Sequence, residues 1–221
     1  MDLIIATSPI KQTDHIDKAI ASVTHIPFNK RFILFDGLPQ GADQDVVQRY
    51  NDYKLRLSKD YPDYIHIYGD SHRWFVGGIN DIINNYSDAP WCFCIQHDVQ
   101  LIDELYTTSL LSNIPDDAKI LCFSHIKLYE GFKHHWYNKV INTDTQWHKT
   151  HGWSERVFMF DRNHMTSLLK QFKSRRFIDT IFYNQSKSKY GKENMESLWN
   201  IWRCYTHKDI LHKHLVGKTD G

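Results

Sequence analysis

Over the first hundred residues the hydrophobic positions fall into two alternating patterns. Short runs at 3–6, 31–35, 65–68 and 91–95 predict strands, the first of them buried. Between them lie helical stripes: Ile16, Ala19, Ile20 and Val23, then Val46, Val47, Tyr50, Tyr53 and Leu57, then Ile79, Ile82, Ile83 and Tyr86. Thr13 suits the N-cap of the first helix, with Asp14 and Asp17 at the positive end of its dipole. The order βαβαβαβ predicts an α/β fold with a mostly parallel central sheet covered by helices on both faces.

The second half is less regular. Residues 118–123 and 156–160 read as strands, and Met165, Leu168, Leu169 and Phe172 as a helical stripe. Between those strands, 129–153 is rich in His, Trp, Tyr and Asn and shows no period, which predicts a long loop with a functional role. A polar stretch at 186–192 is expected to be a mobile loop, and Met195, Leu198, Trp199 and Trp202 to form the core face of a last helix. The run ILHKHLV at 210–216 has the form of a strand with His212 and His214 on one face. No repeat and no linker divides the chain, so 1–221 is expected to be a single domain.

Charge removes one class of function. The 27 Lys and Arg against 26 Asp and Glu leave +1, too little for an electrostatically driven nucleic-acid binder. With 41% hydrophobic and 14% aromatic residues the chain can close a core, so it is not a disordered sequence. No apolar run approaches the ~20 residues of a membrane span. The opening MDLIIATSPI lacks the basic region and cleavage site of a secretory signal, so the expected location is cytoplasmic. Cys92, Cys94, Cys122 and Cys204 form no CxxC pair and sit in apolar segments, as buried reduced thiols do.

The 14 histidines direct attention to metal or phosphate chemistry. His134, His135, His148 and His151 could join His212 and His214 around zinc, but no cysteine or Glu-x-x-His spacing supports such a site. The GxGxxG fingerprint, the Walker A motif and the Gly-x-Gly-Thr-Arg loop are all absent, which removes three α/β competitors. What remains is the set of strand exits: Thr7-Ser8, Asp36-Gly37, Gly69-Asp70 and Gln96-His97-Asp98. In a parallel sheet these meet at the carboxyl edge, where ligands bind. Asp and Asp-Gly are also ordinary turn residues, so each acid taken singly has a plain structural reading.

Taken together, the exits resemble those of GT-A fold glycosyltransferases, similar to the family 2 enzymes and to compact viral glycosyltransferases. The resemblance covers the first hundred residues well and the rest loosely. Phe35-Asp36-Gly37 matches the acid that contacts the nucleotide base in that family, and Gly77-Gly78-Ile79-Asn80 matches its Gly-rich helix start. The family's metal-binding Asp-x-Asp motif falls on Gln96-His97-Asp98, where the first acid is replaced, so Asp98 alone carries over as a metal ligand. A late histidine often completes that metal site, and His214 is the better placed match, with Lys218 and Thr219 near the phosphates.

The resemblance implies residues 1–100 as a nucleotide-binding half and 101–221 as an acceptor half. It implies a nucleotide-diphosphate sugar donor, Mn²⁺ or Mg²⁺, and a glycan, protein or lipid-linked acceptor, in viral or bacterial glycan synthesis. Thr7, Ser8 and Asp36 would then hold the nucleoside. Arg73 would reach phosphate or pair with Asp70. Gly77 and Gly78 would serve the donor site, or only let the helix pack closely on the sheet. An inverting transfer needs a general base, for which the candidates are Glu155, within a Gly-Trp-Ser-Glu stretch like that of some acceptor sites, and Asp179. Glu155 reads equally as an ion-pair partner of Arg156, and Asp179 as a helix cap. The competing classes are a non-catalytic nucleotide- or partner-binding module of the same fold, favoured by Gln96, and a histidine-dependent metallohydrolase.

Overall fold

A computed structural model describes residues 1–9, 14–72, 74–102, 113–123, 140, 141, 143, 145–150, 156–171, 201–208 and 212–215. The predicted alternation holds: β1 (Asp2–Thr7), α1 (His15–Ala21), β2 (Arg31–Phe35), α2 (Gln44–Asp60), β3 (Ile65–Tyr68), α3 (Trp74–Asn85) and β4 (Trp91–Gln96) follow in order. Beyond them come β5 (Val99–Leu101), β6 (Ile120–Cys122), β7 (Val140–Ile141), β8 (Trp147–Thr150), β9 (Val157–Asp161), α4 (Arg162–Gln171), β10 (Cys204–His207) and β11 (His212–His214). Among the described residues, one sheet takes nine strands in the order β3-β2-β1-β4-β9-β6-β10-β8-β7, and β11 pairs with β5 apart from it.

The period of two along each strand divides the core between the two faces of the sheet. Leu3, Ile5, Ile33, Phe35, Phe93 and Ile95 face α1 and α2, meeting Ile16, Ala19, Ile20, Tyr50, Tyr53 and Leu57. Ile4, Ala6, Phe32, Leu34, Cys92 and Cys94 face α3 and α4, meeting Val76, Ile79, Ile82, Ile83, Met165 and Leu168. Each strand residue therefore needs an apolar partner on its own side. This is why β1, β2 and β4 carry nearly continuous apolar runs, whereas β3, at the edge of the sheet, buries Ile67 and leaves Ile65 and Tyr68 exposed. The four cysteines are buried and none is in a disulfide.

Several local expectations change. The N-cap of α1 is Asp14, not Thr13, which lies outside the described residues. Tyr86 leaves the core stripe and is 47% exposed, because α3 ends at Asn85. α3 begins at Trp74, so Gly77 and Gly78 lie within the helix rather than at its start. The sheet is parallel across β3-β2-β1-β4. β9 then runs antiparallel to both β4 and β6, and β8 antiparallel to β10 and β7, so the second half is mixed. The segment read as one long loop contains β7 and β8, strands of two and four residues, too short to show a period. Trp202 is buried as expected; the rest of its stripe and residues 186–192 lie outside the described residues.

Candidate functional site

Register brings the strand exits into line. Thr7 lies opposite Phe35, Phe35 opposite Tyr68, and Ala6 opposite Gln96, so Ser8, Asp36, Gly69 and His97 leave the sheet side by side at its carboxyl edge. The three acids expected there, Asp36, Asp70 and Asp98, do share one edge.

Asp36 sits where the exits of β2 and β3 touch. The Gly69 amide donates to the Phe35 carbonyl at 2.8 Å. A Cβ on Gly37 would fall 2.2 Å from the Ser71 carbonyl carbon, so only glycine permits the backbones to meet. The Gly37 amide donates to Asp36 Oδ1 at 2.9 Å, and His72 Nδ1 lies 2.7 Å from Asp36 Oδ2 and 3.1 Å from the Gly37 carbonyl oxygen. From α2, the Tyr50 hydroxyl donates to the Asp36 carbonyl at 2.8 Å; burial raises the Tyr50 pKa well above its ordinary value, so the phenol keeps its proton.

Asp98 is built differently. The His97 amide and Nδ1 both approach the Ala6 carbonyl, at 3.0 and 3.2 Å, which turns the chain out of β4. Asp98 follows, 3% exposed, and leads directly into β5. There β11 runs antiparallel to β5 with His214 opposite Val99, and the Leu215 amide donates to the Asp98 carbonyl at 2.7 Å. The C-terminal strand thus delivers His214 one register position from Asp98. Carboxylate with imidazole is a donor set that fits Mn²⁺, and Mg²⁺ where phosphate and water complete the shell. Among the described residues no group of three His, Cys, Asp or Glu forms a metal cluster.

The remaining expected residues divide into three. Thr7 is buried and its hydroxyl donates to the Leu34 carbonyl at 3.1 Å, tying β1 to β2, while Ser8 is half-buried at the edge. Gly78 packs on the sheet, since a Cβ there would lie 2.4 Å from Leu34 Cδ2; its closeness serves the core. Asn80 is about 9 Å along α3 from Trp74. Its carbonyl and side-chain oxygens accept from Asn84, and Gly77 precedes it on the same helix. Arg73, Glu155, Asp179, Lys218 and Thr219 lie outside the described residues, as do His134, His135 and His151. His148 is buried in β8 opposite Thr206, on the far side of the sheet order from β1. Sequence reasoning passed over His72 and Tyr50. Tyr50 looked like core and is core, whereas His72 could have been found only by aligning the β2 and β3 exits.

Solved structures share the fold of this chain. The structure of GalNAc-T7 with UDP, GalNAc and Mn²⁺ matches at a TM-score of 0.56 and 8% identity, over 97% of this chain and 43% of that one. The glycosyltransferase GlyE of Streptococcus pneumoniae TIGR4 matches at 0.50 and 12% identity, over 94% of this chain and 45% of that one. The chain has the GT-A fold. It spans less than half the length of either of these GT-A structures. No protein-family model matches the sequence, and no curated protein does. Among the described residues of this GT-A fold, no helix is long and apolar enough to cross a membrane.

Proposed function

We propose that the protein transfers a sugar from a nucleoside-diphosphate donor to a hydroxyl of a glycan, protein or lipid-linked acceptor, with Mn²⁺ or Mg²⁺ held by Asp98 and His214. The observation that carries this reading is the pairing of β11 with β5, which sets the backbone of His214 opposite Val99, one register position from the one acid left in the Gln96-His97-Asp98 exit. The ion, when bound, supplies positive charge to the diphosphate that departs with two negative charges. Asp36 accepts N–H groups of the base, with Ser8 alongside on the neighbouring exit. Arg73 and Lys218 are cations for the phosphates. Residues 1–100 form the nucleotide half and 101–221 the acceptor half, in which Glu155 takes the proton of the acceptor hydroxyl and Asp179 is the second candidate. Buried thiols suit a reducing, cytoplasmic setting.

Calorimetric titration of the protein with UDP, GDP, CDP and ADP, with and without Mn²⁺, tests the reading. Metal-enhanced binding of one diphosphate, followed by turnover of its sugar conjugate that Asp98→Ala abolishes, is the expected result. No binding of any of them by a folded sample overturns it. A second reading, nucleotide binding without turnover, is favoured by Gln96 in place of the first acid. It predicts the same binding with no sugar released to water or acceptor.

A further inference from the structure

We infer that His72 is a positioning residue: it holds the Asp36 carboxylate in the one orientation that accepts a ring N–H of the donor base, and so sets which bases bind. The inference rests on the nucleotide reading above and adds to it a residue from a different strand exit. Nδ1 of His72 lies 2.7 Å from Asp36 Oδ2 and 3.1 Å from the Gly37 carbonyl oxygen. Both neighbours are acceptors, so the proton is on Nδ1 and the ring donates to them. The opposite carboxylate oxygen takes the Gly37 amide at 2.9 Å. A donor on each oxygen fixes the plane of a group that has roughly four acceptor directions.

The ring itself is held by backbone. Gly37 and Ser71 are in main-chain contact and Gly69 is bonded to Phe35, so the residue after Ser71 has little room to shift. The side chains are only 18% and 12% exposed, so the pair is screened far less than an ion pair on the surface. A carboxylate whose two oxygens both accept hydrogen bonds presents only acceptor positions. It favours a base edge that presents ring N–H, as uracil and guanine do, and opposes one that presents a ring lone pair at that point, as cytosine and adenine do.

The test uses the whole chain with UDP, CDP and inorganic pyrophosphate as calorimetric probes, and the variants His72→Leu, His72→Gln and His72→Asn. The amide nitrogen of Asn falls where Nδ1 was; that of Gln falls where Nε2 was. Expected is a loss of UDP affinity of about tenfold or more in the Leu and Gln variants, the worth of a charge-assisted hydrogen bond, with a smaller UDP-to-CDP ratio. Pyrophosphate binding should be unchanged, and Asn should recover most of the loss. If His72→Leu does not fold, the contrast of Asn with Gln gives the same answer. UDP affinity and base ratio unchanged in the Gln and Leu variants would overturn the inference. So would equal losses for UDP and pyrophosphate, which would make the pair a loop latch. If the unaltered protein binds no nucleoside diphosphate, the nucleotide reading falls first and this inference with it.

Discussion

The exits of β2 and β4 each present an acid at the same edge of the sheet, yet they are held by different parts of the chain. Asp36 is surrounded by residues from 34 to 72: its own Gly37 amide, His72 and the Tyr50 hydroxyl. Asp98 takes its local turn from His97 and Ala6, but its neighbour across the sheet is β11, more than a hundred residues later. The base-binding end of the proposed site therefore draws only on residues of the first half. The metal-binding end exists only when the C-terminus has returned.

The largest effect should come from the metal end. Asp98→Ala should lower turnover by about 10³-fold, on the order of 4 kcal/mol, while leaving metal-free UDP binding in place. If UDP binding without metal fell as steeply, the two ends would not be separable and the comparison would break. Next is Gly37→Ala, which forces a Cβ against the Ser71 backbone. About 3 kcal/mol of stability should be lost in urea denaturation, with nucleotide affinity, because backbone cannot step aside as a side chain can. Gly78→Ala sharpens the contrast from within the same half: its Cβ meets the flexible end of Leu34, so about 1–2 kcal/mol should be lost with nucleotide affinity unchanged.

The smallest effect is on pH dependence, and it reports on each half separately. Burial holds His66 on β3 and His164 on α4 below the ordinary value of 6.5. As pH falls through 6.5 the unfolded chain takes up protons that the folded chain refuses, so stability should decline below that pH and be flat above it. Urea midpoints between pH 5 and 8 for His66→Gln and His164→Gln would show the decline reduced in each variant.

How much of this the residues announce depends on how local the encoding is. The stripe Ile16, Ala19, Ile20 and Val23 and the four parallel strands could be read because each element shows its period within itself. The insertion of β9 between β4 and β6 could not, since no local pattern says that Phe158 will pair with Cys94 on one side and Cys122 on the other. Of the site, Asp36 and Asp98 were legible as exit residues, and His212–His214 as part of a strand. At Gly78 the residue type is ambiguous, because a close approach to Leu34, which the helix makes, and one to a ligand ask for the same absent Cβ. His72 stayed hidden because its role depends on the register of β2 with β3, a fact about two strands rather than either one.

The place of β9 also has a bearing on synthesis. When residues 91–96 leave the ribosome, β4 can join β1, but its other edge waits for Val157–Asp161. At about 5–20 residues per second that wait is on the order of 3–12 s. Throughout it an edge lined by Cys92, Phe93, Cys94 and Ile95 offers unpaired backbone and apolar side chains to any passing strand. The nascent chain at this stage is the form most in need of a chaperone, and expression of the first hundred residues alone should yield aggregate rather than a soluble half.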